Sequence, residues 1–125
     1  MDKVPFVDLK AQHASIGIVV TPVTSQLSRL FKLPVSTGLL VQGVEKASGA
    51  AKAGLKVGTT KVIVGGVSYW IGGDIIVGLD GRPTTTFEQL RDGVSRHKPG
   101  DTVKLELYRG GSKKTVTVTL GQEHR

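Results

Sequence analysis

The stretch Gly72–Leu90 constrains the fold of this chain more than any other part of the sequence. Its first half contains Ile75–Leu79, a short apolar run rich in β-branched residues, which predicts a buried strand. Asp80-Gly81 follows, and both residue types tolerate the positive φ of a tight turn. Pro83 has no N–H with which to extend a strand ladder. The first half therefore predicts a strand that ends in a sharp turn.

The second half of this stretch predicts the start of a helix. Thr86 and Gln89 have the spacing of a capping box. In this motif the N-cap hydroxyl accepts a hydrogen bond from the N3 amide, and the N3 side chain accepts one from the N-cap amide. We therefore expect a helix to begin at Phe87.

Other apolar runs and turn residues predict a small domain dominated by strands. The predicted strands are Ile16–Val20, Leu39–Val44, Lys61–Val64, Val67–Trp70, Thr102–Tyr108 and Lys113–Leu120. Gly65-Gly66 suits a primed hairpin turn, so it predicts a projecting β-ribbon.

Two further segments have helical signals. A helix is predicted to open at Thr24-Ser25, to place Leu27, Leu30 and Phe31 on one face, and to end before Pro34. Ser48 is expected to cap a single helical turn over Ala50–Ala53, which Gly54 ends. The predicted fold class is α+β, either a partly open barrel or a sandwich with two helices and an extra β-hairpin.

The chain has the size of one domain. Its 125 residues, 38% of them hydrophobic, suffice for one core. We expect residues 1–12 to be a linker or lead-in, residues 13–121 to form the domain and residues 122–125 to be a tail. No apolar stretch reaches the ~18–20 residues needed to cross a bilayer, and the N-terminus lacks the order of a signal peptide. The absence of cysteine leaves the redox compartment open.

The net charge of +7 does not by itself indicate nucleic-acid binding. The lysines and arginines are scattered, and the few aromatic residues do not alternate with them as stacking platforms would. We therefore expect an ordinary solvated surface and no nucleic-acid partner. The positive field remains able to attract acidic chain termini.

Catalytic and metal-binding patterns are weak. No Gly-x-Ser-x-Gly occurs, and the three histidines, His13, His97 and His124, lie apart from any candidate nucleophile or metal-ligand spacing. His97 suits a favourable interaction with a helix dipole. The glycine clusters lack the order of phosphate-binding loops. We expect no catalytic residue, no metal and no other cofactor.

A binding site has better support at Ser15–Val20. Gly17 stands between two apolar β-branched residues at the start of a predicted strand, where successive backbone N–H groups can converge on one point. Such a concavity binds an anion such as a terminal carboxylate. A bulge or a core contact is the alternative explanation of this glycine.

Several motifs, taken in chain order, resemble the PDZ domain of HtrA/DegP-type serine proteases in its circularly permuted bacterial form. The resemblance covers about residues 15–120. The motifs are Ser15–Ile18, Leu39–Val41, Ala50–Gly58, Gly73–Ile76, Asp80-Gly81, Phe87 with Leu90, Pro99–Val103 and Arg109–Gly111. Two positions depart from the family pattern: Ser15 replaces an aromatic or long apolar residue, and the stretch Thr59–Trp70 is longer than usual.

The resemblance implies a peptide-binding groove. By position, the backbone amides of Ile16, Gly17 and Ile18 match the loop that holds a ligand's terminal carboxylate. The side chains implied to line the groove are those of Val20, Leu90 and Val94, with Arg91 facing the ligand from the helix, besides Ile16 and Ile18. The ligand's last residues would pair with the strand that follows the loop.

The resemblance also implies partners and a location. The expected partners are the C-termini of unfolded or signalling proteins and the protease domain of the parent protein, with no direct membrane insertion; a homo-oligomeric parent is allowed for. The chain itself is expected to be non-catalytic, in a periplasmic or other extracytoplasmic parent protease. The alternative is a regulatory or assembly domain that docks on the protease domain or on neighbouring subunits.

Overall fold

A computed structural model describes residues 14–122 of the chain. The predicted lead-in at residues 1–12, His13 and residues 123–125 of the predicted tail lie outside these residues. Within them the strand-dominated α+β fold class is confirmed. The sheets are open, and no closed barrel forms in this part of the chain.

The described residues form ten strands and three helices, one helix more than the predicted fold class included. The strands are β1 (Ala14–Ser15), β2 (Ile18–Pro22), β3 (Leu39–Val44), β4 (Thr60–Val64), β5 (Val67–Ile71), β6 (Ile75–Leu79), β7 (Arg82–Pro83), β8 (Thr102–Arg109), β9 (Ser112–Thr119) and β10 (Gly121–Gln122). The helices are α1 (Ser25–Phe31), α2 (Gly49–Ala53) and α3 (Phe87–Ser95). None of these three helices is long and apolar enough to span a membrane.

The main sheet is antiparallel and has the strand order β2-β3-β6-β8-β9, with β7 paired to β6. Strands β2 and β9 therefore form its two edges. Two smaller pairs, β1-β10 and β4-β5, lie outside this sheet. In the first pair Gln122, assigned to the tail by sequence, lies opposite Ala14.

The core has two parts because successive strand residues face opposite sides of the main sheet. Leu39 belongs to the larger cluster, together with Leu105 and Leu107, and its neighbour Leu40 belongs to a smaller cluster with Ile75. All five side chains are almost fully buried. The larger cluster includes the buried face of α3.

Each helix begins at the cap residue that the sequence indicates. The Leu27 amide donates to Thr24 Oγ1 over 3.1 Å, and the Ala51 amide donates to Ser48 Oγ over 3.1 Å. Thr86 and Gln89 form the full capping box at the start of α3. The predicted apolar face of α1 is partly wrong, since Leu30 is 55% exposed. The helix has seven residues, and Leu27 is the one that it buries.

Asp74, the aspartate of the Gly73-Asp74 motif, ties three segments together from a fully buried position. Arg109 donates to its two carboxylate oxygens, from Nε and Nη2, over 2.8 Å each. Asp74 Oδ2 also accepts the Lys56 amide at 3.0 Å, and Arg109 Nη2 reaches the Gly54 carbonyl at 3.2 Å. The hydrogen bond to Asp74 raises the pKa of the Arg109 guanidinium. This pair therefore joins β6, β8 and the end of α2.

The predicted ribbon forms as a hairpin of β4 and β5. Gly65 and Gly66 both have positive φ, 58° and 82°, as a primed two-residue turn requires. The ribbon is attached to β3 by the Gln42 side chain, which accepts from the Trp70 amide (2.9 Å) and donates to the Trp70 carbonyl (2.7 Å). Gln42 is the extra residue of a bulge where the β2-β3 register shifts.

The two ends of the ribbon segment lie side by side. The Asp74 amide donates to the Lys56 carbonyl over 3.0 Å, so the segment that carries the ribbon begins and ends at one place. Gly58 and Gly73 allow this approach, because a β-carbon on Gly58 would lie 2.0 Å from the Ile71 carbonyl oxygen and one on Gly73 would lie 2.4 Å from the Gly58 nitrogen.

Candidate functional site

A cleft of about 560 Å³ lies between α3 and the segment Ala14–Ile18. Leu90 and Arg91 are among the α3 residues that line it, and Glu45, which follows β3, completes the lining together with Gln122. The cleft thus contains both segments to which the sequence assigned a peptide groove.

The predicted strand Ile16–Val20 is interrupted, which corrects the expectation from sequence. Strand β1 ends at Ser15 and β2 begins at Ile18. Between them Gly17 has a φ of 86°, a left-handed conformation that favours glycine. Two inward hydrogen bonds hold the interruption: the Ala50 amide donates to the Ile16 carbonyl (3.0 Å) and the Glu45 amide donates to the Gly17 carbonyl (2.9 Å).

These two hydrogen bonds determine where the next amides point. The N–H and C=O of a trans peptide point in opposite directions, and the described chain has no cis peptide bond. Because the Ile16 carbonyl faces Ala50 of α2, the Gly17 N–H points away from α2. Because the Gly17 carbonyl faces Glu45, the Ile18 N–H points away from β3. Two successive amides are therefore turned outward beside the cleft, an arrangement that suits a carboxylate.

No side chain fits at position 17 without displacement. A β-carbon on Gly17 would lie 2.3 Å from Ser48 Cβ and 2.8 Å from Ser48 Oγ. Ser48 is itself fixed, since its hydroxyl caps α2 and donates to the Glu45 carbonyl over 2.7 Å. Both the local conformation and the neighbouring side chain therefore require glycine here.

Helix α3 forms the other wall of the cleft. Leu90 and Val94, one helical turn apart, are 5% and 8% exposed and pack into the larger core cluster. Phe87 is 50% exposed, and the Arg91 guanidinium lies over its ring, 5.7 Å from the centroid. The wall therefore has an apolar floor and a rim on which a cation stacks on an aromatic ring.

The end of α3 is held by a histidine between two carboxylates. His97 Nε2 lies 3.3 Å from Asp80 Oδ2, and its Nδ1 lies 3.4 Å from Asp101 Oδ2. The Lys98 amide also donates to Asp101 and, with His97, lowers the pKa of that carboxyl group against a smaller opposing effect of burial. The histidine that the sequence placed near a helix end therefore also contacts the β6-β7 turn and the segment before β8.

The structure places most of the predicted site residues around the cleft. Gly17, Ile18, Leu90, Arg91 and Val94 line it, as does Ile16, whose side chain is 5% exposed. Val20 is not part of the lining; it lies further along β2, on the same face as Ile18, and packs against the core. The assignment of these residues to a ligand stays a prediction.

Several lining residues were not among the predicted site residues: Ala14, Ser15, Glu45, Phe87, Asp92, Ser95 and Gln122. Phe87 was identified as the first helical residue and as part of a motif with Leu90, and an aromatic residue one turn before Leu90 and Arg91 indicates the same helix face. Glu45 has no motif of its own, and its only signal is that it directly follows a strand.

Within residues 14–122, no group of three or more His, Asp or Glu side chains is arranged to hold a metal ion.

Comparison with protein families matches residues 14–120 of the chain to the PDZ domain. The periplasmic pH-dependent serine endoprotease DegQ of Escherichia coli K12 is 36% identical over 105 residues, which cover 84% of this chain and 20% of DegQ. A probable periplasmic DegP-like serine endoprotease of Pseudomonas fulva is 34% identical over 112 residues, covering 90% and 20%. The chain therefore spans about a fifth of the length of these relatives.

Solved structures share the fold. The HtrA3 PDZ domain bound to a phage-derived ligand (FGRWV) superposes with a TM-score of 0.66 at 26% identity, covering 90% of this chain and 89% of that chain. The HtrA-type protease AlgW with a decapeptide superposes with a TM-score of 0.70 at 22% identity, covering 91% and 30%. The similarity to AlgW supports the fold alone.

Proposed function

The chain belongs to the PDZ domain family, and we propose that it binds the free C-terminus of a partner polypeptide, which adds as an extended strand to the edge of β2. The observation that carries this proposal is the pair of outward amides at Gly17 and Ile18 beside an apolar cleft. Main-chain hydrogen bonds along β2 would supply affinity, and the cleft at Leu90 and Val94 would select a small or medium apolar last residue.

The expected affinity is moderate. A hydrogen bond to a charged carboxylate contributes about 1.5–3 kcal/mol. Ordering an extended peptide and desolvating its polar groups offset much of that gain, so we expect a dissociation constant in roughly the micromolar range. Affinity of this order allows a ligand to be captured and released.

The parent protein is proposed to be an HtrA-type serine protease of the cell envelope. This chain corresponds to the non-catalytic PDZ region of the DegP and DegQ relatives, which are named periplasmic serine endoproteases. Peptide partners are supported by the HtrA3 PDZ domain, whose structure contains a bound peptide ligand. The proposed ligands are C-termini exposed by unfolded or signalling proteins.

The carboxylate is tested with matched peptides. A set of peptides with free C-termini is screened by chemical-shift mapping, and the best binder is titrated calorimetrically as the free acid and as the C-terminal amide. We expect shifts at residues 16–20 and 87–94 and a severe loss of affinity on amidation. Equal affinity of acid and amide would contradict the carboxylate site, and shifts confined to other residues would contradict its location.

A regulatory role is a second candidate, and the ribbon supports it. Ile63, Val67 and Trp70 are 69%, 51% and 39% exposed on β4 and β5. Ile63 and Trp70 share one face of the hairpin, since Trp70 is paired with Lys61, two residues before Ile63, and exposed apolar residues on one face favour an interaction surface. In the full-length protein, replacing Ile63 and Trp70 by serine should change the hydrolysis of short, unanchored substrates. An unchanged rate would argue for ligand capture alone.

A further inference from the structure

The face of β2 opposite the side chains of Ile18 and Val20 carries different residues. Ile18 and Val20 pack against the core, so the alternation of a strand places Val19 on the opposite face, where it is 58% exposed. Its partner in the ladder is Gly43, whose missing side chain leaves the flank of Val19 uncovered. A β-carbon on Gly43 would lie 3.5 Å from Val19 Cβ, which places the two positions on one side of the sheet.

Glu45 lies on this same face, at the Gly17 end of β2, where it also joins the lining of the cleft. It follows Val44, whose side chain packs against the core, and the hydrogen bond from its amide to the Gly17 carbonyl continues the β2-β3 pairing by one residue. The Glu45 side chain therefore alternates to the side of Gly43 and Val19. Its Oε1 lies 3.6 Å from the position of a β-carbon on Gly17.

Glu45 thus places a negative charge next to the amides that are proposed to hold the ligand's carboxylate. The chain has a net charge of +7, yet the charged residues lining the cleft are two carboxylates, Glu45 and Asp92, and one guanidinium, Arg91. A ligand whose terminal carboxylate is its sole charge near this point meets a like charge across a few ångströms. A cationic group on the ligand would offset that repulsion.

The geometry of strand addition determines which ligand residue meets Glu45. A peptide whose carboxylate lies at Gly17 runs antiparallel to β2, with its last side chain on the cleft face beside Ile18. Its penultimate side chain then lies on the opposite face, beside Val19 and Glu45. That position offers an apolar surface followed by a carboxylate, which suits the aliphatic stem and charged head of lysine or arginine.

We propose that Glu45 is a specificity residue that selects C-terminal peptides with a basic penultimate side chain, whose aliphatic stem packs on Val19. The inference rests on the proposed peptide-binding function and adds a charge requirement to it. Arg91 is on the other wall of the cleft, with its guanidinium on Phe87, and does not contribute to this preference.

The test uses three free-acid peptides that differ at the penultimate residue alone: lysine, norleucine and glutamate. Calorimetric titration of the chain should give an affinity for the lysine peptide that is at least threefold higher than for norleucine, with glutamate weakest. In Glu45→Gln the lysine and norleucine peptides should bind within twofold of each other. Raising the salt concentration should narrow the difference in the unmodified chain, since the contact is exposed.

Two variants control for other effects. Glu88→Gln makes the same change of net charge on an exposed residue outside the cleft lining, and it should keep the lysine preference. Glu45→Lys should reverse the order and favour the glutamate peptide. Thermal unfolding of each variant verifies that it is folded at the titration temperature.

The outcomes separate this inference from the proposed function. If the norleucine acid binds, its amide does not, and lysine gives no advantage, the peptide site stands and the role of Glu45 is wrong. That role is equally wrong if the lysine preference survives unchanged in Glu45→Gln. If none of the peptides binds as a free acid better than as an amide, the proposed function fails and the selection by Glu45 fails with it.

Discussion

The two edge strands of the main sheet differ in how well their unpaired backbone groups are protected from pairing with another strand. Strand β2, with the sequence Ile-Val-Val-Thr-Pro, borders an open cleft and begins at an outward amide. Strand β9, with the sequence Ser-Lys-Lys-Thr-Val-Thr-Val-Thr, has two lysines near its start, and its other end lies against α2. A β-carbon on Gly49 of α2 would lie 1.8 Å from the Thr119 carbonyl oxygen, which shows how closely the helix covers that end.

Edge strands attract other strands, and lysines or a covering helix are common ways to prevent it. Both protections occur at β9. At β2 a cleft of about 560 Å³ separates the start of the strand from the neighbouring helix, α3, which leaves room for an added strand. One edge of the sheet is therefore protected against strand addition, whereas the other is open, as the proposed function requires.

The largest expected effect is on the free energy of unfolding, and it concerns the whole sheet, including both edges. Asp74→Asn removes the buried charge that pairs with Arg109, the last residue of β8, and we expect a loss of about 3 kcal/mol in the free energy of unfolding. Denaturant titration measures it, with the exposed Asp92→Asn as control. A loss below that of the control would mean that the pair does not support the sheet.

The next effect separates the edges. Gly17 and Gly111, in the β8-β9 turn, have nearly equal φ values of 86° and 85°, but only Gly17 has Ser48 against it. Replacing either by alanine should lower stability by about 1–2 kcal/mol through backbone strain, and Gly17→Ala should lower it further because its β-carbon would displace Ser48. In calorimetric titrations Gly17→Ala should also weaken peptide binding at least tenfold, while Gly111→Ala should bind normally. Equal peptide affinities of the two variants would contradict the proposal that the ligand binds at the β2 edge.

A smaller effect is expected when the protection of β9 is removed. Lys113→Val combined with Lys114→Val turns the open half of β9 into an apolar edge, so sedimentation velocity should show self-association that increases with protein concentration. A matched control replaces Lys46 and Lys52, which lie off the sheet edges, by valine. Identical sedimentation of the two double variants would show that the lysines at β9 are ordinary surface residues.

The smallest effect concerns Asp101, which contacts His97 just after α3, the helix that forms one wall of the cleft. Because the folded state lowers the pKa of Asp101, this carboxylate stabilises the fold above its unfolded pKa of about 3.9 and ceases to do so as the pH falls through the lower folded value. Asp101→Asn should therefore lower the melting temperature at pH 7 and have little effect near pH 2. A difference in melting temperature between Asp101→Asn and the unmodified chain that stays constant with pH would exclude this contribution.

Local sequence signals predicted the elements well. The cap at Thr86, the turns at Asp80-Gly81 and Gly65-Gly66, and the strand Leu39–Val44 depend on neighbours within a few residues, and the structure has each of them. Periodicity also predicted the buried residues of β8. Such features need no knowledge of distant segments.

Features that depend on distant segments were missed or misjudged. Leu30 has the spacing of a core residue, but the packing around α1 leaves its side chain 55% exposed. The pairing of Gln42 with the Trp70 backbone and the position of Glu45 beside Gly17 result from tertiary packing that no local pattern encodes. The motif around Gly17 indicated a segment that lines the cleft, whereas the charged residues around it could be identified only from the fold.

The adjacency of Lys56 and Asp74 has an evolutionary consequence. Since the chain departs and returns through one backbone hydrogen bond, a change of length between these residues leaves the rest of the domain in place and alters loop-closure entropy by only about 0.6 kcal/mol per doubling. The length of the ribbon can thus change without moving the segments that are proposed to bind the ligand. The same junction offers a position for circular permutation or for inserting a reporter domain.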